Sequence, residues 1–534
     1  MLKHWWDSSV VYQIYPRSFK DSNGDGIGDI PGIIEKLDYL KTLGIDLIWL
    51  CPVFKSPQAD NGYDISDYTD IDPLFGSLED MDRLIQEAEK HGIGIMLDLV
   101  LNHSSDEHFW FKEAVKSREN PYHDYYVWRD GDPVTPPNDM RACFGGSAWE
   151  YVPTLGQYYF HQFHVKQPDL NWENPKLREE IYEMIRNWCR VGVKGFRLDV
   201  IDQIAKEPDK KITNNGPKLH EYIQELSREC FQPFDVITVG EAWGADVDIA
   251  KQFSNPDGSE LSMVFQFEQQ SLDQIPGRPK WDIGRLDFVK LKKVIEKWQN
   301  GLYGKGWNSL FWNNHDMPRV VSAYGTENEK YRETSAKMLA TVLHGLQGTP
   351  YVYEGEEIGM TNCRYDISEY RDVEILNMYE ERLKAGYSKE DIMESVYFKG
   401  RDNARTPMQW DDTEYAGFSD AEPWIKVNPN YERINVKKAL SNGNSVFFYY
   451  KKLISLRKNN PTLVYGDFTL LEENDSDLFV YEREYEGDKI MVMANFHEVE
   501  RIADFPEGEI LIHNYDNIEK GILRPYEAYM FRCT

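Results

Sequence analysis

The sequence is short of positive charge, and this excludes two classes of partner. It contains 60 Lys and Arg residues against 90 Asp and Glu, which gives a formal net charge of −30 at pH 7. Nucleic acid and anionic membrane surfaces would both repel such a chain. We therefore expect no nucleic-acid partner and no membrane, and a protein that acts on something small and uncharged.

Long apolar runs and paired cysteines are absent as well. No 18 apolar residues follow one another, and residues 1–7 lack the apolar core of a signal peptide. The six cysteines form no CxxC pair and no metal-site spacing with histidine. Cys51, Cys189 and Cys230 have apolar neighbours and are predicted to be reduced core residues. These features favour a cytoplasmic protein, which we expect to be a monomer.

What the sequence does contain is a regular alternation of strand and helix patterns. Eight apolar runs are typical of strands, at residues 10–15, 47–50, 93–100, 193–199, 236–241, 263–267, 310–313 and 351–353. Helical spacing of apolar residues separates them, as in a parallel sheet. Eight such units predict a closed (β/α)8 TIM barrel, an α/β fold.

Two segments break this alternation, at residues 103–174 and 361–424, and both are predicted to be insertions at one face of the barrel. The end of the chain alternates short β-like runs with acidic turns, which predicts an antiparallel β-sandwich. The predicted domains are the barrel at 1–102 and 175–460, an inserted domain at 103–174 after strand three, and the β-sandwich at 461–534.

Three of the predicted strands lead into acids. The fourth closes on Asp199, the fifth on Glu241, and the seventh is followed by His315 and Asp316. Because functional sites of these barrels form at the carboxyl ends of the strands, we expect the three acids to meet in one site. A structural ion pair between Arg197 and Asp199 is the alternative explanation for the fourth strand.

Grouped carboxylates serve metal binding or acid–base catalysis. The acids lack the set of neighbouring histidines that a catalytic zinc site needs, which disfavours metal catalysis. Glycoside hydrolysis needs one ionised and one protonated carboxyl. Arg197 is expected to keep Asp199 ionised, while the apolar neighbours of Glu241 would raise the pKa of that residue. Asp316 would hold and distort the sugar ring. A non-catalytic sugar cleft is disfavoured, because burying three acids without a purpose is costly.

A loop near the N-terminus has most of the ligand pattern of an EF-hand. Oxygen-bearing side chains occupy positions 1, 3, 5 and 9, glycine stands at 6 and a backbone carbonyl at 7. Position 12 is Gly32, so the bidentate glutamate is missing, and a plain turn is the alternative. We predict a structural Ca²⁺ and no catalytic cofactor; the expected ligands are Asp21, Asn23, Asp25, Ile27 and Asp29.

These motifs together resemble the alpha-amylase family of glycoside hydrolases. The matching segments are Tyr63-Asp64, Asp98 to His103, Gly195 to Asp199, Glu241 and Asn314 to Asp316. The segment 167–172, Gln-Pro-Asp-Leu-Asn-Trp, resembles the inserted domain of the oligo-1,6-glucosidase branch. The resemblance implies a retaining mechanism with Asp199 as nucleophile, Glu241 as general acid/base and Asp316 as transition-state stabiliser.

The resemblance also implies a closed sugar pocket. His103 and His315 would hydrogen-bond the bound glucose, and Tyr63 would stack on it. Asp64 and Arg405 would hold the non-reducing end, so that cleavage is exo and releases one glucose at a time. Arg197 belongs to the same expected substrate-binding set.

Linkage specificity is predicted from four residues. In this branch a valine after the nucleophile goes with α-1,6 bonds and a threonine with α-1,4 bonds, and here the residue is Val200. Packing alone is the other explanation for a β-branched residue there. Trp243, Lys280 and Glu374 resemble the leaving-group subsite of bacterial glucan 1,6-alpha-glucosidases. We expect hydrolysis of isomaltose, isomaltooligosaccharides and dextran fragments.

Three alternatives have distinguishing features. A sucrose-active isomerase would carry an Arg-Leu-Asp-Arg-Asp loop, whereas residues 285–289 are Arg-Leu-Asp-Phe-Val. A trehalose-6-phosphate hydrolase needs a cationic leaving-group site, which Lys280 leaves open. The non-catalytic heavy chains of amino-acid transporters share the fold, but they need a membrane helix and dispense with the acids.

Overall fold

The protein is described here from a computed structural model that covers residues 4–534. Residues 1–3, where the predicted barrel domain begins, lie outside the described residues. The strands within the described part are β1 Val11–Ile14, β2 Leu47–Leu50, β3 Phe54–Lys55, β4 Asp67–Ile71, β5 Gly94–Val100, β6 Trp128–Asp130, β7 Trp149–Val152, β8 Gln157–Phe160, β9 Gly195–Asp199, β10 Ile237–Glu241, β11 Met263–Phe265, β12 Ser309–Leu310, β13 Thr349–Tyr353, β14 Thr469–Leu471, β15 Leu478–Tyr485, β16 Asp488–Asn495, β17 Arg501–Ile502, β18 Gly508–His513, β19 Ile522–Leu523 and β20 Ala528–Cys533.

The helices alternate with these strands along much of the chain. They are α1 Pro16–Phe19, α2 Ile30–Glu35, α3 Leu37–Leu43, α4 Leu78–Lys90, α5 Phe109–Ala114, α6 Pro175–Val191, α7 Leu219–Leu226, α8 Val247–Phe253, α9 Phe288–Leu302, α10 Val320–Tyr324, α11 Arg332–His344, α12 Val373–Lys384, α13 Lys389–Lys399, α14 Asp402–Arg405, α15 Val436–Ser441, α16 Val446–Lys458 and α17 Pro461–Tyr465. No helix within residues 4–534 combines the length and the apolar character that crossing a bilayer requires.

The eight runs predicted to be barrel strands are all strands in the structure, namely β1, β2, β5, β9, β10, β11, β12 and β13. Strands β9 and β10 are buried along their whole length, as expected for parallel strands with both faces covered. The predicted α/β fold class, a TIM-type barrel followed by antiparallel C-terminal sheets, is confirmed.

The helix that precedes β9 shows how the sequence specifies an element. Asn174 caps its N-terminus by accepting a hydrogen bond from the backbone N–H of Lys176, and Pro175 occupies the first turn. Gly192 ends the helix with φ 114°, a left-handed conformation that glycine adopts without strain. The apolar spacing of residues 175–191 predicts this helix, and the structure has it with the same bounds, Pro175–Val191.

Two other predicted helices are interrupted. The pattern at residues 33–43 predicts one helix, but the structure has α2 and α3, which meet at Lys36 with φ −104° and ψ 5°. The pattern at 217–230 predicts a second, but α7 ends at Leu226 and a π-helical turn follows at Ser227–Phe231. Apolar periodicity locates both segments but carries no signal for a local change of helical pitch.

The chain divides into two compact units. Unit 1 comprises the N-terminal residues to Ile48, Lys90–Ile93 and Phe267–Thr534. Unit 2 comprises Trp49–Glu89 and Gly94–Gln266. In unit 2, β5, β9, β10 and β11 pair in parallel, and β6, β8 and β7 form a separate antiparallel sheet.

In unit 1, β13 pairs in parallel with both β1 and β12. Towards the C-terminus, β14, β15, β16, β20 and β18 form a five-stranded antiparallel sheet, and β17 pairs with β19. A buried cluster that includes Leu478, Val480, Met493 and Phe531 forms its core. The domain boundaries at residues 102, 174 and 460 stay predictions.

Candidate active site

A buried arginine lies at the centre of the acids in unit 2. Arg197 Nη1 donates to Asp98 Oδ1 at 2.9 Å and to Asp199 Oδ1 at 2.7 Å, and its Nη2 contacts Glu241 Oε2. Arg197 is 1% exposed and Glu241 4% exposed. Strand pairing places these side chains together, because Asp98 of β5 and Val239 of β10 both stand opposite Arg197 of β9. We call Arg197, Asp98, Asp199 and Glu241 the Arg197 cluster.

Asp98 is the member of this cluster that the sequence reasoning missed as a site residue. Its Oδ2 accepts hydrogen bonds from the Tyr63 hydroxyl at 3.0 Å and from Trp49 Nε1 at 3.2 Å. The signal was present, since an aspartate inside the apolar strand β5 is costly to bury unless it has a partner. Asp98 therefore holds both Arg197 and Tyr63.

The protonation expected for Asp199 is wrong. Burial raises the pKa of the Asp199 carboxyl well above its usual range, and although Arg197 lowers it, Glu241 and Asp98 raise it further. One guanidinium cannot offset three carboxylates within reach of each other. Asp199 therefore lies in a buried site where acids outnumber the single cation.

Glu241 receives two further N–H donors beside Arg197. Trp243 Nε1 donates to Glu241 Oε1 at 2.6 Å, and the backbone N–H of Val200 donates to Oε2 at 3.3 Å. Val200 has φ 35° and ψ 46°, a left-handed conformation that is strained for a β-branched residue. Trp243 is 44% exposed, so its ring is available to a ligand. The sequence predicts apolar neighbours for Glu241, whereas the structure surrounds its carboxyl with N–H donors.

His103 and Asp64 are buried near Tyr63 and are held by their own neighbours. His103 Nε2 lies 3.2 Å from the Tyr63 carbonyl oxygen and 3.1 Å from Gln167 Nε2. Burial lowers the pKa of His103 to about 4, so this imidazole is neutral near pH 7. Asp64 accepts hydrogen bonds from the backbone N–H groups of Ala59 and Asp60 at 2.8 and 2.9 Å. Their contacts with a sugar stay predictions.

A second group of charges surrounds Asp316 in unit 1. Asp316 Oδ2 lies 3.0 Å from His315 Nε2, and its Oδ1 accepts from Arg405 at 2.8 Å and from Arg401 at 3.2 Å. Gln13 Nε2 lies 2.9 Å from His315 Nδ1. With this amide donating to Nδ1, Nε2 carries the proton that His315 offers to Asp316. Burial alone would raise the pKa of Asp316, but His315 and the two arginines hold it well below its usual range.

Arg401 is the second residue that the sequence reasoning missed. Besides Asp316, its guanidinium contacts Asp372 Oδ1 at 2.6 Å and Glu374 Oε2 at 3.5 Å. Glu374 in turn accepts from Lys280 Nζ at 2.6 Å. Its position in the sequence could have indicated this role, because Arg401 lies only four residues before the predicted site residue Arg405.

The predicted calcium loop forms a compact turn in unit 1. Asp21 Oδ1 accepts from the backbone N–H groups of Asn23 and Gly24, and Asp25 Oδ1 accepts from that of Ile27. Asp29 has another role, because its Oδ1 caps α2. Within the described residues no cluster of three or more His, Cys, Asp or Glu side chains is arranged to hold a metal ion. The oxygen-rich donor set suits a hard cation, and the calcium site stays a prediction.

The predicted site residues thus fall into two groups. Unit 2 brings together Tyr63, Arg197, Asp199, Val200, Glu241 and Trp243, with His103 and Asp64 beside Tyr63. Unit 1 brings together Lys280, His315, Asp316, Glu374 and Arg405 through Arg401. The meeting of Asp316 with Asp199 and Glu241 in one site stays a prediction.

Comparison with known proteins gives consistent matches. The family model described as "Alpha amylase, catalytic domain" matches residues 13–466. An oligo-1,6-glucosidase of Bacillus cereus is 53% identical, with all of both chains covered. A glucan 1,6-alpha-glucosidase of Streptococcus pneumoniae is 52% identical, with 99% of each chain covered.

Solved structures with other specificities are also similar. The trehalose-6-phosphate hydrolase of Bacillus licheniformis is 46% identical with a TM-score of 0.94, and 99% of each chain is covered. An isomaltulose synthase from Klebsiella sp. LX3 is 40% identical with a TM-score of 0.96, and both chains are fully covered. The shared fold therefore does not by itself identify the substrate.

Proposed function

The chain belongs to the alpha-amylase family and is a glycoside hydrolase, and from that premise we propose a retaining, exo-acting enzyme that hydrolyses α-1,6-glucosidic bonds. Its substrates would be isomaltose, isomaltooligosaccharides and dextran fragments, attacked from the non-reducing end. The two relatives that are 53% and 52% identical in sequence support α-glucosidase activity. The names of those relatives, an oligo-1,6-glucosidase and a glucan 1,6-alpha-glucosidase, support the α-1,6 linkage.

The observation that carries the proposal is the buried pair Asp199 and Glu241 on one guanidinium. Double displacement needs an ionised nucleophile and a protonated acid on the two sides of the glycosidic bond. Both carboxyls contact the same guanidinium in one buried site, which keeps the two groups side by side for these two roles. Asp199 attacks the anomeric carbon while Glu241 protonates the leaving oxygen. Glu241 then removes a proton from the water that releases glucose with its configuration retained.

The remaining polar residues would recognise a neutral sugar. Asp316, ionised at neutral pH, would accept hydrogen bonds from ring hydroxyls and stabilise positive charge on the ring in the transition state. His103 is neutral near pH 7 and would exchange hydrogen bonds with hydroxyls without adding charge. Tyr63, Asp64, His315 and Arg405 would complete the pocket at the non-reducing end, as the family resemblance implies.

The choice of substrate rests on the leaving-group side. Lys280 is the cation that a phosphorylated substrate would need, but Glu374 lies 2.6 Å from its ammonium and offsets the charge. This contact favours an uncharged leaving sugar over trehalose 6-phosphate. Phe288 and Val289 stand where an isomerase would carry its second arginine and aspartate, and here they begin α9. Val200 and Trp243 would shape the same side.

One product analysis tests the proposal. Isomaltose, panose, dextran, maltose, sucrose and trehalose 6-phosphate are incubated in parallel, and the products and the anomer first released are followed by chromatography and proton NMR. We expect α-glucose to be released fastest from the α-1,6-linked substrates. Faster turnover of trehalose 6-phosphate, conversion of sucrose to isomaltulose, or initial release of β-glucose would contradict it.

We also propose that the loop from Asp21 to Asp29 binds a structural Ca²⁺. Asp21, Asn23 and Asp25 would supply side-chain oxygens and Ile27 its carbonyl. Gly26 has φ 88°, and a Cβ at this position would lie 2.2 Å from the backbone oxygen of Glu422, so the turn admits only glycine there. The ion would tie this turn to the fold and would take no part in the chemistry.

A further inference from the structure

Asp202 is a fully buried acid that the proposed chemistry does not use. It lies in the short turn after β9, three residues beyond Asp199, and is 0% exposed. Its Oδ2 accepts two hydrogen bonds, from the backbone N–H of Gly244 at 2.7 Å and from Asn214 Nδ2 at 2.9 Å. Gly244 belongs to the turn after β10. A single carboxyl oxygen therefore joins the turns that follow the two strands bearing Asp199 and Glu241.

Both joined turns aim an N–H group at Glu241. The first contains Val200, two residues before Asp202, whose backbone N–H donates to Glu241 Oε2. The second contains Trp243, directly before Gly244, whose indole N–H donates to Glu241 Oε1. The left-handed backbone of Val200 is strained, and such strain persists only where surrounding contacts hold it. Asp202 supplies a contact of that kind.

The second turn is packed tightly on the side that faces Asp202. A Cβ added to Gly244 would lie 2.7 Å from Asn215 Nδ2, 3.0 Å from Asn214 Cβ and 3.2 Å from Asp202 Oδ2. Asn215 Nδ2 also donates to the Gly244 carbonyl at 2.8 Å. The position of Gly244, and with it that of the preceding residue Trp243, is thus set by the segment that Asp202 anchors.

The other oxygen of Asp202 has no hydrogen-bond partner. Asp202 Oδ1 is buried without one, and leaving a polar atom in that state is costly. A buried acid that carries this cost next to a catalytic pair is typical of a functional region, where local stability is given up for geometry.

We propose that Asp202 is a positioning residue that holds the Val200 N–H and the Trp243 indole N–H on Glu241. The inference rests on the proposed function, because it takes Glu241 to be the general acid. Without the Asp202 contact the two turns would separate, and the carboxyl of Glu241 would no longer be aligned with the leaving oxygen. Proton transfer would suffer, while the attack of Asp199 on the anomeric carbon would not.

A loss of proton transfer alone changes the ratio of the rates on two substrates whose leaving groups differ in basicity. A purely structural role would leave that ratio unchanged. A sugar leaving group is strongly basic and depends on a well-placed acid, whereas nitrophenolate is weakly basic and leaves with little protonic help. The comparison uses kcat/KM, which reports the step that breaks the glycosidic bond.

The experiment measures kcat/KM of Asp202→Ala on isomaltose and on p-nitrophenyl α-D-glucopyranoside. We expect a loss of roughly 100-fold on isomaltose, the order reported for small misplacements of catalytic groups, and a much smaller loss on the nitrophenyl glucoside. Asp202→Asn keeps an oxygen for the Gly244 N–H and should recover most of the isomaltose rate. Asp202→Ser, whose hydroxyl is too short to reach the Gly244 N–H, takes the place of Asp202→Ala if that variant does not fold.

Ser262→Ala is the matched control. Ser262 Oγ accepts from the backbone N–H of Thr238 on β10 at 3.0 Å, so its loss disturbs the strand that carries Glu241 but not the turns. Its rates on the two substrates should change by the same factor. Equal losses on both substrates in Asp202→Ala, or no loss in that variant, would overturn the inference alone. A wild-type enzyme that cleaves neither substrate would overturn the proposed function with it.

Discussion

At the scale of single residues, Arg197 determines the electrostatics of the catalytic pair. Its one positive charge contacts Asp98, Asp199 and Glu241, all of them buried. Breaking a buried charge pair from one side leaves the partner uncompensated, which is strongly destabilising. Neutralising one of several acids around a single cation is milder, because the cation keeps its other partners. The acids can therefore be tested one at a time in a folded protein.

The first test of this kind is Asp199→Asn. We expect kcat on isomaltose to fall by roughly 10⁶-fold, the order found for the loss of a covalent nucleophile, because the amide cannot attack the anomeric carbon. Tm should stay close to that of the wild type, since the amide oxygen still accepts from Arg197 Nη1. Steady-state kinetics and thermal unfolding measure the two quantities. Near-normal turnover would remove Asp199 from the mechanism.

At the scale of elements, the barrel strands were predictable and their contacts less so. Apolar runs ending in acids located β9 and β10 within two residues, because parallel strands are buried on both faces. Arg197 and Asp199 follow from strand periodicity alone. The sharing of Arg197 by Asp98 does not, because it depends on the register of β5 against β9. Arg401 shows the same limit, since only the fold shows that it contacts Asp316.

The calcium loop gives a prediction about one element. Chelation by EDTA should lower Tm, and Ca²⁺ should restore it better than Mg²⁺, because binding to the folded state alone stabilises by about 2.7 kcal/mol at 100 times the Kd. Asp25→Ala should abolish the response to EDTA. Asp38→Ala, which removes an exposed acid of α3, should keep it. A wild-type Tm that is the same in EDTA and in Ca²⁺ would rule out the site.

At the scale of the whole molecule, three buried glutamates, Glu354, Glu356 and Glu357, follow β13 and link pH to stability. Glu356 accepts from the Tyr450 hydroxyl at 2.8 Å, and Glu357 accepts from those of Tyr12 and Tyr39 at 2.7 and 2.6 Å. Burial raises the pKa of Glu356 from 4.5 to about 8. Between these two values the folded protein keeps a proton that the unfolded chain has released. The free energy of unfolding therefore falls as pH rises through this window.

The matching prediction concerns the slope of Tm against pH. Ionisation of Glu356 should lower the free energy of unfolding by about 1.4 kcal/mol per pH unit between pH 5 and 8, and Tm should fall with it. Glu356→Gln should flatten the plot of Tm against pH, because glutamine does not titrate. Calorimetry at pH 5, 6, 7 and 8 measures the slope. Glu79→Gln, a substitution on the exposed face of α4, should leave it unchanged. Identical slopes for wild type and Glu356→Gln would contradict the burial argument.

The excess of acids over cations around Arg197 also affects how the enzyme must be handled in solution. Three carboxyls surround one cation in this cluster, which gives it acceptor oxygens for a small protonated amine. A hydroxylated amine buffer such as Tris combines that charge with groups that imitate a sugar, and it would compete with substrate. Phosphate or another amine-free buffer is accordingly the right medium for kinetic work on this protein.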